Sequence, residues 1–203
     1  MSSQRSRTPA GQSTRDQIIA ATCDLMEAQG FHATGMAEII QASGAPRGSL
    51  YYYFPEGKEG LAAEAIARTG ASVAERIRAN LAPGGCLVGA FSRFTDQIAA
   101  AIEHSGFRAG GPLTAVAMET ATTSERLNRA CRDAYGRLKG AFAEQLVAAG
   151  YPPARAAELA EFITAAIEGG IILSRTYHSG DPLRRIGRQV AAMLAASPPP
   201  THP

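Results

Sequence analysis

The sequence predicts an all-α protein of nine helices, on three observations. Alanine, the strongest helix former and a poor strand residue, makes up about a fifth of the 203 residues. Apolar residues recur at spacings of three and four from Ile18 to Leu194, and no segment sustains an alternation of period two. Glycine and proline clusters punctuate this pattern, each closing one apolar stripe and opening the next.

Taken in order, Thr14 is the expected N-cap of a first helix whose face carries Ile18, Ile19, Thr22, Leu25 and Met26 and which closes at Gly30. A short pattern of Met36, Ile39 and Ile40 stops at Ser43-Gly44, and Pro46 pre-sets the first turn of another short helix running to Phe54-Pro55. A longer helix from Gly57 shows Leu61, Ile66, Val73, Ile77 and Leu81 before Pro83-Gly84-Gly85 breaks it. Val88, Phe91, Phe94, Ile98 and Ile102 form the fifth stripe, and Leu113 to Met118 a short sixth. Leu127, Cys131, Tyr135, Leu138, Phe142 and Leu146 mark a seventh, ending at Gly150. Leu159, Phe162, Ile163, Ala166, Ile167 and Ile171 make a broad eighth, and Leu183, Ile186, Val190, Met193 and Leu194 complete the ninth.

Composition bounds the function. A formal charge of +2 excludes both a polycation and an acidic tail protein. There is no apolar run near the 18 residues of a membrane span, and the first 16 residues lack the apolar centre of a secretion signal, so no membrane partner is expected. Three separated cysteines without a CxxC speak against a disulfide scaffold or a zinc site and for a reducing, cytoplasmic setting. No cofactor and no metal are expected. Residues 1–13 read as a disordered basic arm and 197–203 (SPPPTHP) as a disordered tail. Between them, 14–60 reads as one unit, with a helix-turn-helix at about 35–54, and 61–196 as a second.

Residues 14–60 are the informative window. A helix of about 16 residues, one of about 8, a turn containing Gly44 and another of about 8 is helix-turn-helix spacing. On a helical wheel Arg47, Gly48, Tyr51 and Tyr52 share one face of the third helix, while Leu50, Tyr53 and Phe54 turn towards the core. The first face suits a duplex: Gly48 removes bulk, Arg47 can pair bidentately with guanine, and tyrosine hydroxyls reach phosphates. Lys58 opens the next helix, where a phosphate also meets the helix dipole. Residues 1–60 nevertheless carry five basic and six acidic side chains, so any phosphate grip comes from placement and not from bulk charge.

The stretch TRDQIIAATCDLMEAQGFHATGMAEIIQASGAPRGSLYYYF, followed by Lys58, resembles the amino-terminal domain of TetR-type transcriptional repressors. The PRGSLYYYFPEGKEGL and GGPLTAVAMET segments are similar to the subgroup of lincomycin-resistance and flavonoid-responsive repressors. The resemblance implies that Thr34, Arg47, Gly48, Ser49, Tyr51, Tyr52 and Lys58 line double-stranded operator DNA. Two positions depart from the family pattern: Pro46 stands where Ser or Thr is frequent, and Glu56 lies beside the phosphate expected at Lys58. The resemblance also implies a carboxy-terminal domain that dimerises and holds a small effector.

Residues 153–196 carry more apolar surface than one bundle partner needs, and Ala165, Ala166, Gly169 and Gly170 permit close helix approach, so the two C-terminal helices are the expected homodimer surface. A pocket is expected between the fifth, seventh and eighth helices at Phe91, Phe94, Ile98, Tyr135, Leu138, Phe142, Phe162 and Ile163, with Val116 and Met118 as a fourth wall. Each of these also reads as ordinary core, but the phenylalanines favour an apolar or aromatic effector. The function expected is a ligand-responsive regulator, most simply a repressor that an effector releases from a pseudo-palindromic operator. The alternatives are a helical enzyme or a small-molecule sequestering protein on the same fold. Against the enzyme, the chain has no GxSxG, HExxH or GxxxxGK.

Overall fold

In the computed structural model, which describes residues 13–82 and 86–196, the first helix α1 (Thr14–Ala33) starts on Ser13. The Ser13 hydroxyl accepts the Asp16 amide at 3.1 Å, and Ser13 has the extended backbone that an N-cap needs. This corrects the expected cap at Thr14, which is already helical. The remainder of the expected basic arm, the 197–203 tail and the Pro83-Gly84-Gly85 break lie outside the described residues.

Gly30 does not end α1 but kinks it: at φ 82°, ψ 177° it turns Phe31 inward. Helices α2 (Met36–Ser43) and α3 (Arg47–Tyr53) follow, joined through Gly44 in the left-handed region (φ 66°). Ile18, Met26, Phe31, Ile39, Leu50 and Phe54 are buried together as the core of this unit. Each contributes about 1.5–3 kcal/mol by leaving water. Tyr53, expected in that core, is instead 38% exposed with its ring edge-on to Tyr52. The wheel fails there because α3 stops at Tyr53, and Phe54, outside helical geometry at φ −129°, takes the inward place.

Helix α4 (Gly57–Asn80) runs without a break across the boundary expected at residue 60, so the two units share it. The body adds α5 (Leu87–His104), α6 (Leu113–Thr120), α7 (Glu125–Ala148), α8 (Pro153–Tyr177) and α9 (Asp181–Ala196). Helix α4 lies along α7, with Gly70 so close that a Cβ there would be 2.7 Å from the Ala134 Cβ. Helix α9 packs on α5 and α8. It is tied to α5 by a bidentate pair between Arg184 and Glu103, at 2.6 and 2.8 Å. Arg184 and the Gly180 amide together hold the Glu103 carboxyl down at about 2. Among the described residues there is no strand, and no helix is long and apolar enough to cross a membrane.

Candidate nucleic-acid interface and internal cavity

Helix α3 presents Arg47, Gly48, Tyr51 and Tyr52 on its outer face, with Tyr52 78% exposed and Ser49 half-buried beside them. Leu50 on the opposite side is fully buried and fixes the helix's rotation. A Cβ on Gly48 would meet nothing within 4 Å. The protein's own packing therefore does not require glycine there. Arg47 forms no ion pair among the described residues, so its guanidinium is available to bases or phosphates.

Other expected contacts are placed differently. Thr34 is 1% exposed, and its hydroxyl donates to the Gly30 carbonyl at 2.7 Å, so it braces the turn before α2 and does not face outward. The Lys58 ammonium donates to the His32 carbonyl at 3.2 Å and sits 4.3 Å from the Phe31 ring centre. Partial burial lowers its pKa. Arg15, a basic side chain at the start of α1 and not among those contacts, pairs with Glu64 and covers the Phe54 ring, so it holds α1 to α4. Glu56, expected to repel a phosphate, is turned to Arg126 on α7.

Between α1 and the body helices α4, α5, α7 and α8 is a partly open cavity of about 400 Å³. Of the ten residues expected around a pocket, Phe94, Ile98, Leu138 and Phe142 line it. Phe91, Val116 and Ile163 are buried core away from its walls, and Tyr135 stands behind one wall. Met118 and Phe162 are corrections: they are 77% and 53% exposed, because the helical period says which residues share a face but not which face meets solvent. The walls that the sequence reading missed come from α1 (Cys23, Glu27) and α4 (Arg68, Thr69, Val73), and α8 supplies Ile167 and Glu168. Burial raises the Cys23 thiol, which lies 3.6 Å from the Thr69 hydroxyl, so it is a neutral wall group and not a reactive thiolate.

The cavity also touches α1, the first helix of the helix-turn-helix unit. The Glu27 carboxylate on α1 accepts the amides of Gly110 and Gly111, both at 2.6 Å, where the loop before α6 covers the cavity. At the other end of α6, Glu119 accepts the His32 amide at 2.7 Å, just beyond the Gly30 kink. Two carboxylates thus clasp α6 and its loop to α1, one on each side of the kink.

A recognition-type α3 on a short helical unit, geared by α1 and α4 to a larger helical body, defines a helix-turn-helix transcription regulator. Residues 18–65 match the bacterial regulatory proteins of the tetR family, and residues 87–189 match the LmrA/YxaF-like C-terminal domain of transcriptional regulators. The chain belongs to the TetR family of DNA-binding transcriptional regulators. It is 36% identical over 181 residues to an uncharacterized HTH-type transcriptional regulator, YxaF, of Bacillus subtilis, covering 89% of this chain and 95% of that one. It is 34% identical over 181 residues to the HTH-type transcriptional regulator LmrA of the same organism, covering 89% and 96%. Among solved structures, TetR regulators from Legionella pneumophila and Rhodobacter sphaeroides share the fold at a TM-score of 0.77 each. Their identities are 19% and 20%, with 91% and 88% of this chain and 98% and 97% of theirs covered. These relatives are regulators and not enzymes.

Proposed function

We propose that this regulator is a cytoplasmic repressor, released from its operator by a small, largely apolar effector that enters the cavity. One observation carries the reading: α1, which holds up the helix-turn-helix, is itself a wall of the cavity and is clasped to the loop covering it. A volume of about 400 Å³ with mostly apolar walls suits a drug-sized molecule. Occupancy that moves the 109–112 loop would pull on Glu27 and so on the spacing of the DNA-facing units. Release follows only if the effector favours that state.

Dimerisation is part of the proposal. Phe162, Ala165, Ile172 and Leu173 form an exposed strip on α8, whereas α9 exposes only Asp181, Arg185, Arg188, Gln189 and the small Ala192, Ala195 and Ala196. Gly170, unlike Gly169, is used internally, since a Cβ there would be 2.7 Å from Leu183 on α9. A two-fold dimer through this surface would set two α3 helices about 34–36 Å apart on one face of a pseudo-palindrome.

Mobility shift on the gene's own upstream duplex tests the proposal, with candidate effectors titrated against wild type and Ile98→Trp. A releasing ligand should leave the filled-cavity variant bound to DNA. Equal release from both proteins would overturn the reading.

A further inference from the structure

We infer that the cavity is built for a ligand combining an apolar, ring-bearing body with a protonated nitrogen, and that Glu168 receives that nitrogen. This rests on the cavity being the effector site and names the chemistry of its occupant.

Glu168 lies on α8 in the stretch Ala165–Ile172, half-buried and lining the cavity beside Ile98, Ile167 and Ile171. Its Oε2 accepts the Thr114 hydroxyl. Thr114 Oγ1 is in turn 3.2 Å from the Tyr135 hydroxyl. The single Thr114 proton is used on Glu168, so Tyr135 is the donor to Thr114, and two hydroxyls in series feed one carboxylate oxygen. The other oxygen, Oε1, has no hydrogen-bond partner among the described residues, and no Lys, Arg or His pairs with Glu168. Burial raises the carboxyl pKa, and burial together with the Glu168 charge pushes Tyr135 up to about 12. Half-buried at the cavity wall with no basic partner, Glu168 leaves Oε1 open to an occupant, and a charge-assisted bond in this partly dehydrated setting would be stronger than at the surface.

The other charged groups lining the cavity do not compete for that role. Arg68 and Arg76 are exposed, and Arg68 is held by Asp16 at 2.8 Å. Asp24 is also exposed, and the Glu27 carboxylate is turned to the Gly110 and Gly111 amides. The charges outside Glu168 therefore balance, two basic against two acidic, which leaves Glu168 to set the preference for charge.

The test uses three probes of matched shape, naphthylmethylammonium, naphthalenemethanol and naphthoate, titrated calorimetrically into the full-length protein at neutral pH. The ammonium should bind at least about tenfold more tightly than the alcohol, with the naphthoate weakest. Glu168→Gln should erase that advantage while changing the alcohol's affinity little. Thr114→Val, which keeps the carboxylate, should retain it. An alcohol or naphthoate that binds wild type as well as the ammonium overturns the inference, as does a preference that survives Glu168→Gln or is lost in Thr114→Val. If Ile98→Trp blocks the alcohol but the ammonium has no advantage, Glu168 is overturned and the effector cavity stands. If every probe binds Ile98→Trp as well as wild type, the effector cavity is overturned too.

Discussion

Gly30→Ala probes the gearing between the DNA-facing unit and the body. Gly30 holds φ 82°, ψ 177°, a conformation that costs an L residue about 1–3 kcal/mol. The added Cβ would also fall on the Glu119 Oε1 and within 3.0 Å of its Cδ, so the carboxylate must swing off the His32 amide. A hydrogen bond to a charged acceptor contributes about 1.5–3 kcal/mol, which partial exposure here reduces to about 1 kcal/mol. Together these give a loss of about 2–4 kcal/mol, or roughly 5–15 °C in melting temperature for a chain of this size. Circular-dichroism melts of the full-length protein measure it. In a Glu119→Ala background the clash is gone and only backbone strain remains, so Gly30→Ala should cost about 1 kcal/mol less there. Strict additivity of the two substitutions, or a Gly30→Ala melt within about 2 °C of wild type, would refute the clasp.

Three further outcomes are expected. Arg47→Ala should weaken specific operator binding by about 1–3 kcal/mol in fluorescence anisotropy and broaden the base preference at one position per half-site. Glu103 is a carboxyl whose folded pKa, about 2, lies below its ordinary 4.5. Its pairing with Arg184 therefore stabilises the protein above pH 4.5 and is lost as pH falls towards 2. In urea titrations Glu103→Gln should flatten the acid limb of stability between neutrality and about pH 3, and an unchanged limb would contradict it. Phe162→Glu should shift sedimentation from dimer towards monomer and abolish operator binding while the helical signal is retained; a variant that stays dimeric would move the interface elsewhere.

The helices were legible because their stripes are strongly periodic and each is bounded by glycine or proline; Gly44, Gly150 and Pro152 mark real ends. Side-chain direction at the ends was less so. Ser13 and Thr14 both have capping side chains, serine the better of the two, and the extended backbone of Ser13 confirms it as the cap. Thr34 has the residue type of a phosphate contact, but the Gly30 kink leaves a free carbonyl that its hydroxyl fills. Helix α8 is apolar on two faces, so period alone could not send Ile163 inward and Phe162 outward. The α1 and α4 walls of the cavity escaped because the sequence does not reveal that a helix of the DNA-facing unit leans over the body. Glu168 did leave a signal: it is the one charged residue between Glu161 and Arg175, in an otherwise uncharged stretch of α8.

The central claim is that two α3 helices read an operator through the Arg47–Tyr52 face. Selection of bound duplexes from a randomised pool, followed by footprinting, tests it most directly. Wild type should enrich a pseudo-palindrome with half-sites centred about 10 base pairs apart, and the Arg47→Ala, Tyr51→Phe double variant should enrich none. The same enrichment by both proteins, or a footprint without two-fold symmetry, would contradict the account.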